Sequence, residues 1–379
     1  MRLLSLSLRD FRNVHEARLE PSARSTVLVG PNGQGKTNLL EALFLLCTLK
    51  PLRATRLAEL VRFGADRARV QGDFEAPGGV RTVAVEIGPE GRTAFLDGKT
   101  LSSSDRLDAF FEGRAAVCFS PDDLLLVKGG PDQRRRFLDR AAFNRWPAVL
   151  TEAREYLRAL RERNAALRHS AAAVEESFRE PLVRAGARLV ARRVALLAEL
   201  SPRMAEAFAQ ISGPEAASAL LAYRPAAGLH IEGASEEQIA ERLAGALAHR
   251  VARDREKGYT SAGPHMDDLL LSLGGRGARP YGSQGQQRAL VLALKIAEIE
   301  NLRDKLGRPP LLLLDDVSSE LDPEKNGHLL RHLAALPGQA VLTTTDRRLL
   351  EPAAGEGAVF YRVRDGVFER DFPPVIPGS

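Results

Sequence analysis

The chain has 379 residues, 44% of them apolar and 27% charged, with a formal net charge of +5. That length holds one large or two to three ordinary domains, and the balance is that of a globular, soluble chain. No apolar run reaches bilayer length, Met1 to Ser5 lack a secretory core, and Cys47 and Cys118 lack ligand spacing. A cytoplasmic protein with buried free thiols, neither membrane-spanning nor secreted, is therefore expected. The mild, Arg-rich charge says little about nucleic acid.

Leu4 to Arg9 alternate as a half-buried strand does, a second strand is predicted near Ala17–Leu19, and Ser25 to Val29 run straight into Gly30. Gly30-Pro31-Asn32-Gly33-Gln34-Gly35-Lys36-Thr37 matches GxxxxGK[ST] in full, and the helix predicted from Thr37 to Leu49 follows it. Glycines at this place let backbone N–H groups face phosphates, and the helix N-terminus adds partial positive charge. Lys36 is expected to bridge the β- and γ-phosphates and the Thr37 hydroxyl to coordinate Mg²⁺. Arg67 to Phe74 and Thr82 to Ile87 alternate as strands, with turns at Pro77-Gly78-Gly79 and Asp97-Gly98.

From Pro131 to about Arg255 the composition turns to Ala, Leu, Arg and Glu with helical spacing almost throughout. Leu150, Ala153, Leu157, Leu160, Asn164 and Leu167 form one apolar stripe, and Val183, Ala187, Val190, Val194 and Leu197 a returning face. These predict a hairpin of roughly five turns a side, with its turn in Ser170 to Pro181. Arg154, Arg158, Arg161 and Arg168 lie off the stripe. They read as a solvated face, with a DNA-facing surface as the alternative.

Asp268 to Leu273 read as a strand, Gln284 to Leu302 as a long helix, and Ala340 to Thr344 as another strand. Phe360–Val363 and Val367–Phe368 form a hairpin about Asp365-Gly366, and Phe372 to Ser379 are Pro-rich and expected to be loosely held. Leu311 to Leu314 are apolar on both faces, as suits the inside of a parallel sheet, and end in Asp315-Asp316. Asp315 is placed to hold Mg²⁺ and Asp316 to orient the attacking water. Ser283 and Gly285 open a helix with donors fitted to a γ-phosphate. Two chains head to tail, each completing the other's site, form the economical arrangement.

Phosphate loop, helical insert, Ser283-Gln284-Gly285-Gln286 and Leu314-Asp315-Asp316 together resemble ABC-type ATPase heads. More narrowly, the chain resembles the RecF family of recombination-repair ATPases, related to SMC heads. Leu8-Arg9-Asp10-Phe11-Arg12-Asn13, Phe119-Ser120-Pro121-Asp122-Asp123-Leu124 and Gly129-Gly130-Pro131 also carry the match. So do Arg134-Arg135-Arg136-Phe137-Leu138-Asp139, Gly263-Pro264-His265-Met266-Asp267-Asp268 and Val317-Ser318-Ser319-Glu320-Leu321-Asp322.

The resemblance implies an α/β ABC-type head formed by residues 1–122 and 285–379, with a mainly helical lobe, 123–284, inserted. It implies ATP held by Gly30, Pro31, Asn32, Gly33, Gln34, Gly35, Lys36, Thr37 and Asn38, with Ser283, Gly285 and Gln286 as the signature. Thr37 and Asp315 would hold Mg²⁺, Lys36 and Asp316 would serve hydrolysis, and Ser319 to Asp322 would be the D-loop. It further implies an ATP-dependent homodimer on double-stranded or gapped DNA, slow DNA-dependent hydrolysis, RecR and RecO as partners, and RecA loading as the outcome.

Thr345 stands where transporter ATPases carry a switch His, Ser120-Pro121-Asp122-Asp123 occupies the Q-loop region, and Met266 replaces an expected Arg. Arg53 reads either as an arginine finger or as an ordinary surface residue. An ABC-transporter ATPase, with its switch His missing, and an SMC-like structural protein, with its long arm missing, are the alternatives.

Overall fold

The computed structural model describes residues 2–54, 56–76, 78–101, 110–168, 176–213, 216–316 and 338–371. The chain divides into two compact units, Met1–Asp122 with Leu302–Ser379, and Asp123–Asn301. The predicted loose tail from Phe372 lies outside the described residues.

Numbered in chain order, the first unit holds β1 (Arg2–Phe11), β2 (Val14–Leu19), β3 (Ser25–Val29), β4 (Ala68–Ala76), β5 (Gly79–Gly88), β6 (Gly91–Leu96) and β7 (Lys99–Thr100). It also holds β8 (Ala116–Phe119), and the second unit supplies β9 (Ala219–Arg224), β10 (Asp268–Leu273) and β11 (Arg276–Gly277). The first unit resumes with β12 (Leu311–Leu314), β13 (Ala340–Thr344), β14 (Val359–Arg364) and β15 (Val367–Asp371).

One six-stranded sheet runs β2-β1-β4-β5-β6-β7, with antiparallel neighbours throughout. The other runs β15-β14-β3-β13-β12-β8 and is parallel apart from the β14–β15 hairpin. All four Leu of β12 are buried, as a strand with neighbours on both sides and covered faces requires. In this sheet β13 separates β3, which feeds the phosphate loop, from β12, which ends in the acidic pair. The carboxyl ends of these three parallel strands therefore share one edge, where open α/β sheets bind ligands.

Helices α1 (Lys36–Thr48), α2 (Pro131–Arg145), α3 (Val149–Arg168), α4 (Arg179–Ser212), α5 (Glu236–Lys257), α6 (Gln284–Leu306) and α7 (Arg347–Ala354) complete the frame. Two expectations are corrected in the second unit. Helix α4 has 34 residues, about 50 Å at 1.5 Å per residue, because its apolar spacing continues through Leu200, Met204, Ala207 and Phe208. The 131–255 stretch also contains strand β9, where Ala219 and Leu221 are buried at a period of two and Leu221 pairs with Leu271.

The α3 stripe holds at Leu150, Leu160 and Leu167, which are buried, and departs at Leu157, which is 51% exposed; Glu152, Tyr156, Ala159, Arg163 and Ala166 widen the buried face. Arg163 and Asp254 are fully buried as an ion pair at 3.0 Å, and Thr260 and Ser261 supply further hydrogen bonds. Arg154, Arg158, Arg161 and Arg168 are exposed. Helix α6, from Gln284 up to Asn301, groups with the second unit. The reason is packing, since Leu290, Val291, Ala293, Leu294, Ile296 and Ala297 join that unit's core.

Candidate nucleotide site

Strand β3 passes into the phosphate loop at Gly30, whose amide donates to the Thr344 carbonyl at 3.2 Å. A Cβ on Gly30 would overlap the Val363 carbonyl. Gly35, at φ 108°, takes a left-handed turn into α1, and a Cβ there would lie 2.8 Å from Asn13 Oδ1. Two turns from neighbouring strands brace this loop. Asn13 donates to the Gln34 carbonyl (3.2 Å) and accepts from Asn38 (2.8 Å). The Asp365 amide donates to Gln34 Oε1 (2.7 Å), and the Gly366 amide to the Gln34 carbonyl (2.9 Å). Pro31, Asn32 and Gly33 form the exposed crest.

Lys36 is buried, and its ammonium donates to the Gly30 carbonyl at 2.5 Å and the Pro31 carbonyl at 2.8 Å. Burial lowers its pKa below the ordinary lysine value, against the opposing pull of Asp316 and Asp315. Thr37 donates its hydroxyl to Asp315 Oδ1 at 2.7 Å, across 278 residues of sequence. Thr343 at the end of β13 donates to the same oxygen at 3.0 Å and accepts the Asp316 amide at 2.8 Å. Asp316 itself has φ 45°, in the left-handed region.

Arg53, open in the sequence to two readings, lies against the acidic pair at the end of β12. Its guanidinium sits on Asp315 Oδ2 at 2.5 Å and lies 3.8 Å from Asp122. Glu41, buried on α1, accepts the backbone amides of Arg53 (3.0 Å) and Ala54 (3.2 Å) and pairs with Arg12 at 2.8 Å. The sequence reading passed over Glu41 and Thr343. A lone carboxylate in Leu39-Leu40-Glu41-Ala42-Leu43-Phe44, four residues after Thr37, was the available signal for the first. The threonine run at the end of β13 was the signal for the second.

Thr37 Oγ1 and Asp315 Oδ1 present two hard oxygens at one point, and a cationic group already rests on the same carboxylate. This donor set fits Mg²⁺ held jointly with phosphate oxygens.

Ser283, Gly285 and Gln286 belong to the second unit, and Lys36, Thr37, Asp315 and Asp316 to the first. At the start of α6 the Ser283 amide donates to Gln286 Oε1 (2.9 Å), while the Gln286 amide donates to Ser283 Oγ (3.2 Å). This reciprocal pair is a capping box. It occupies Ser283 as an acceptor and leaves its one hydroxyl proton for a further partner. Gln287 ties the preceding turn down, donating to the Ala278, Arg279 and Gly282 carbonyls at 3.1 Å each. The D-loop expected at Ser319 to Asp322 lies outside the described residues.

Two further stretches of the resemblance lock to each other inside the second unit. Arg134 makes a two-pronged pair with Asp268 (2.7 and 3.0 Å), and Arg193 joins Asp139 to the Pro264 carbonyl. Asp267 accepts from Tyr223 and from the Ala226 amide. Met266, just before Asp267 and Asp268, is 40% exposed. His265 Nε2 faces the Thr260 carbonyl at 2.9 Å and must donate there, so Nδ1 accepts from the Tyr156 hydroxyl at 2.5 Å. Thr345 is exposed, and Asp346 caps α7 by accepting the Arg348 amide.

No helix among the described residues is long and apolar enough to cross a membrane. Residues 2–367 match the family model described as RecF/RecN/SMC N terminal domain. A protein of Anaeromyxobacter dehalogenans (strain 2CP-C) named DNA replication and repair protein RecF is 72% identical over 97% of this chain and 98% of its own. Its namesake in Myxococcus xanthus (strain DK1622) is 55% identical over 97% of this chain and 96% of its own. A solved structure of the recombination mediator protein RecF with ATP, of the RecFOR pathway, superposes with TM-score 0.86 at 28% identity, covering 98% of both chains. A Pyrococcus furiosus Smc head, at TM-score 0.53 and 16% identity over 98% of this chain and 96% of its own, shares the fold. An ABC-type ATPase head carrying an inserted lobe is thus the architecture, and the chain belongs to the RecF family.

Proposed function

We propose that this chain is an ATP-dependent DNA-binding clamp of recombinational repair and replication restart. The observation that carries the reading is the convergence of Lys36, Thr37, Asp315 and Asp316 at one sheet edge from opposite ends of the sequence. It is supported by the family and by the likeness to a RecF solved with ATP.

In this reading Lys36 leaves the Gly30 and Pro31 carbonyls for the β- and γ-phosphates, which supply the counter-charge that its burial withholds. Gly30, Pro31, Asn32, Gly33, Gln34, Gly35 and Asn38 line or brace the cradle. Thr37 and Asp315 would hold Mg²⁺, which when bound neutralises phosphate charge. Arg53 must then release Asp315 Oδ2. Asp316 orients the attacking water. Ser283, with its capping-box geometry set by Gln286, and the Gly285 amide offer donors to the γ-phosphate of a second chain.

ATP drives dimer formation only by binding the dimer better than the monomer, and these trans donors are the source of that difference. The paired chains grip double-stranded or gapped DNA, slow hydrolysis releases it, and RecO and RecR use the loaded state to promote RecA loading. Fluorescence anisotropy with a gapped duplex is the test. Affinity is expected to require ATP and Mg²⁺ and to fall steeply between 50 and 200 mM salt, by about a thousandfold if some six phosphates are contacted. Equal affinity with and without ATP would overturn the reading.

A further inference from the structure

We infer that Thr343 is a positioning residue for hydrolysis: its buried hydroxyl locks Asp315 and Asp316 into a single arrangement at the end of β12. The inference rests on the ATPase reading above. Thr343 is 1% exposed and is the penultimate residue of β13, one before Thr344, whose carbonyl holds the first amide of the phosphate loop. A hydroxyl has one proton to give and lone pairs to accept with, and both capacities are used here. The proton goes to Asp315 Oδ1 at 3.0 Å, and a lone pair takes the Asp316 amide at 2.8 Å.

The consequences are two. Thr37 also donates to Asp315 Oδ1, so that oxygen is held from the α1 side and from the β13 side at once. Its orientation toward a cation is therefore set before any cation arrives, as outer-shell hydrogen bonds orient metal-binding carboxylates. Asp316 takes φ 45°, in the left-handed region that is uncommon for residues other than glycine. The amide bond to Thr343 holds that conformation at the residue assigned to the attacking water. Because β13 lies between β3 and β12, one residue can reach both acids while its neighbour touches the phosphate loop.

Thr343→Val keeps the β-branched shape that suits the strand and removes only the hydroxyl, whereas Thr343→Ser keeps the hydroxyl. Thr343→Ala is a second hydroxyl-free variant should valine disturb folding. Purified full-length proteins are compared for ATP affinity as a function of Mg²⁺ concentration, for kcat and KM of hydrolysis with DNA present, and for Tm. Valine is expected to raise the Mg²⁺ needed for half-maximal ATP binding and to lower kcat, each roughly tenfold or more. KM measured at saturating Mg²⁺ is expected to change little, and serine to restore most of both losses. A structural role alone would move Tm without moving the Mg²⁺ requirement.

Folded valine and alanine variants with wild-type Mg²⁺ requirement and kcat would overturn the inference, as would a serine variant as impaired as valine. A wild-type protein that binds no ATP would instead overturn the parent reading, and that failure shows before any Thr343 variant is made.

Discussion

In the proposed mechanism Lys36 serves binding and Asp316 serves hydrolysis, and their substitutions are expected to fail differently. The Lys36 ammonium is buried on two carbonyls of its own loop, a state that phosphate oxygens improve by supplying full negative charge. Lys36→Met removes that charge, so ATP binding is expected to be lost, as read by equilibrium dialysis. Retained binding would remove the lysine from the site. Asp316→Asn leaves the amide bond to Thr343 available and removes only the carboxylate. Binding is expected to persist while turnover falls by a hundredfold or more, within the range general-base loss gives. Undiminished turnover would take Asp316 out of the mechanism. At this scale the loop and the acidic pair were legible in the sequence because each is a contiguous run. Thr343, Glu41 and the Arg53–Asp315 pair were not, because their roles arise from neighbours up to 262 residues apart.

Helix α3 shows what apolar spacing alone leaves out of a buried face. Leu150, Leu160 and Leu167 are buried as the spacing predicts, but Leu157 is exposed and Tyr156 and Arg163 are buried too, each meeting a polar partner that lies far along the chain. Arg163→Met leaves the Asp254 carboxylate buried without its guanidinium. Loss of about 3–5 kcal/mol is expected by urea denaturation, and a change below about 1 kcal/mol would show the pair to be dispensable. The same lobe should respond to pH through His265.

Burial is the chief cause of its lowered pKa, with Arg135 and Arg193 acting in the same direction and the Thr260 carbonyl and Asp254 opposing. A histidine whose folded pKa lies below its unfolded value of about 6.5 binds fewer protons folded than unfolded. Its contribution is therefore fully present above that value and lost as pH falls through the folded pKa. Asp267 nearby, raised by burial, works in the opposite sense, losing its contribution as pH rises through its own folded value. Melting temperature is expected to fall from pH 7 to pH 5, and to fall less in His265→Gln. Identical pH slopes would show that His265 does not carry the effect. Strand β9 escaped notice for a related reason: six residues of alternation are easily absorbed into a long helical stretch when their partner, β10, comes 44 residues later.

Across the whole molecule one unit carries Lys36, Thr37, Asp315 and Asp316, and the other a helix start whose serine keeps a donor in reserve. Family membership was legible because its motifs are spread over the full length, from Leu8 to Asp322. The unit boundary at Asn301 was less so, since only three-dimensional packing shows which core claims α6. The central claim is that ATP joins two copies through Ser283 and Gly285, and sedimentation velocity at one protein concentration with ATP, with ADP and without nucleotide tests it most directly. A dimer with ATP and Mg²⁺, a monomer in the other two conditions, and a monomer for Lys36→Met throughout are expected. The same species in all three conditions, or a dimer of Lys36→Met with ATP, would contradict the account.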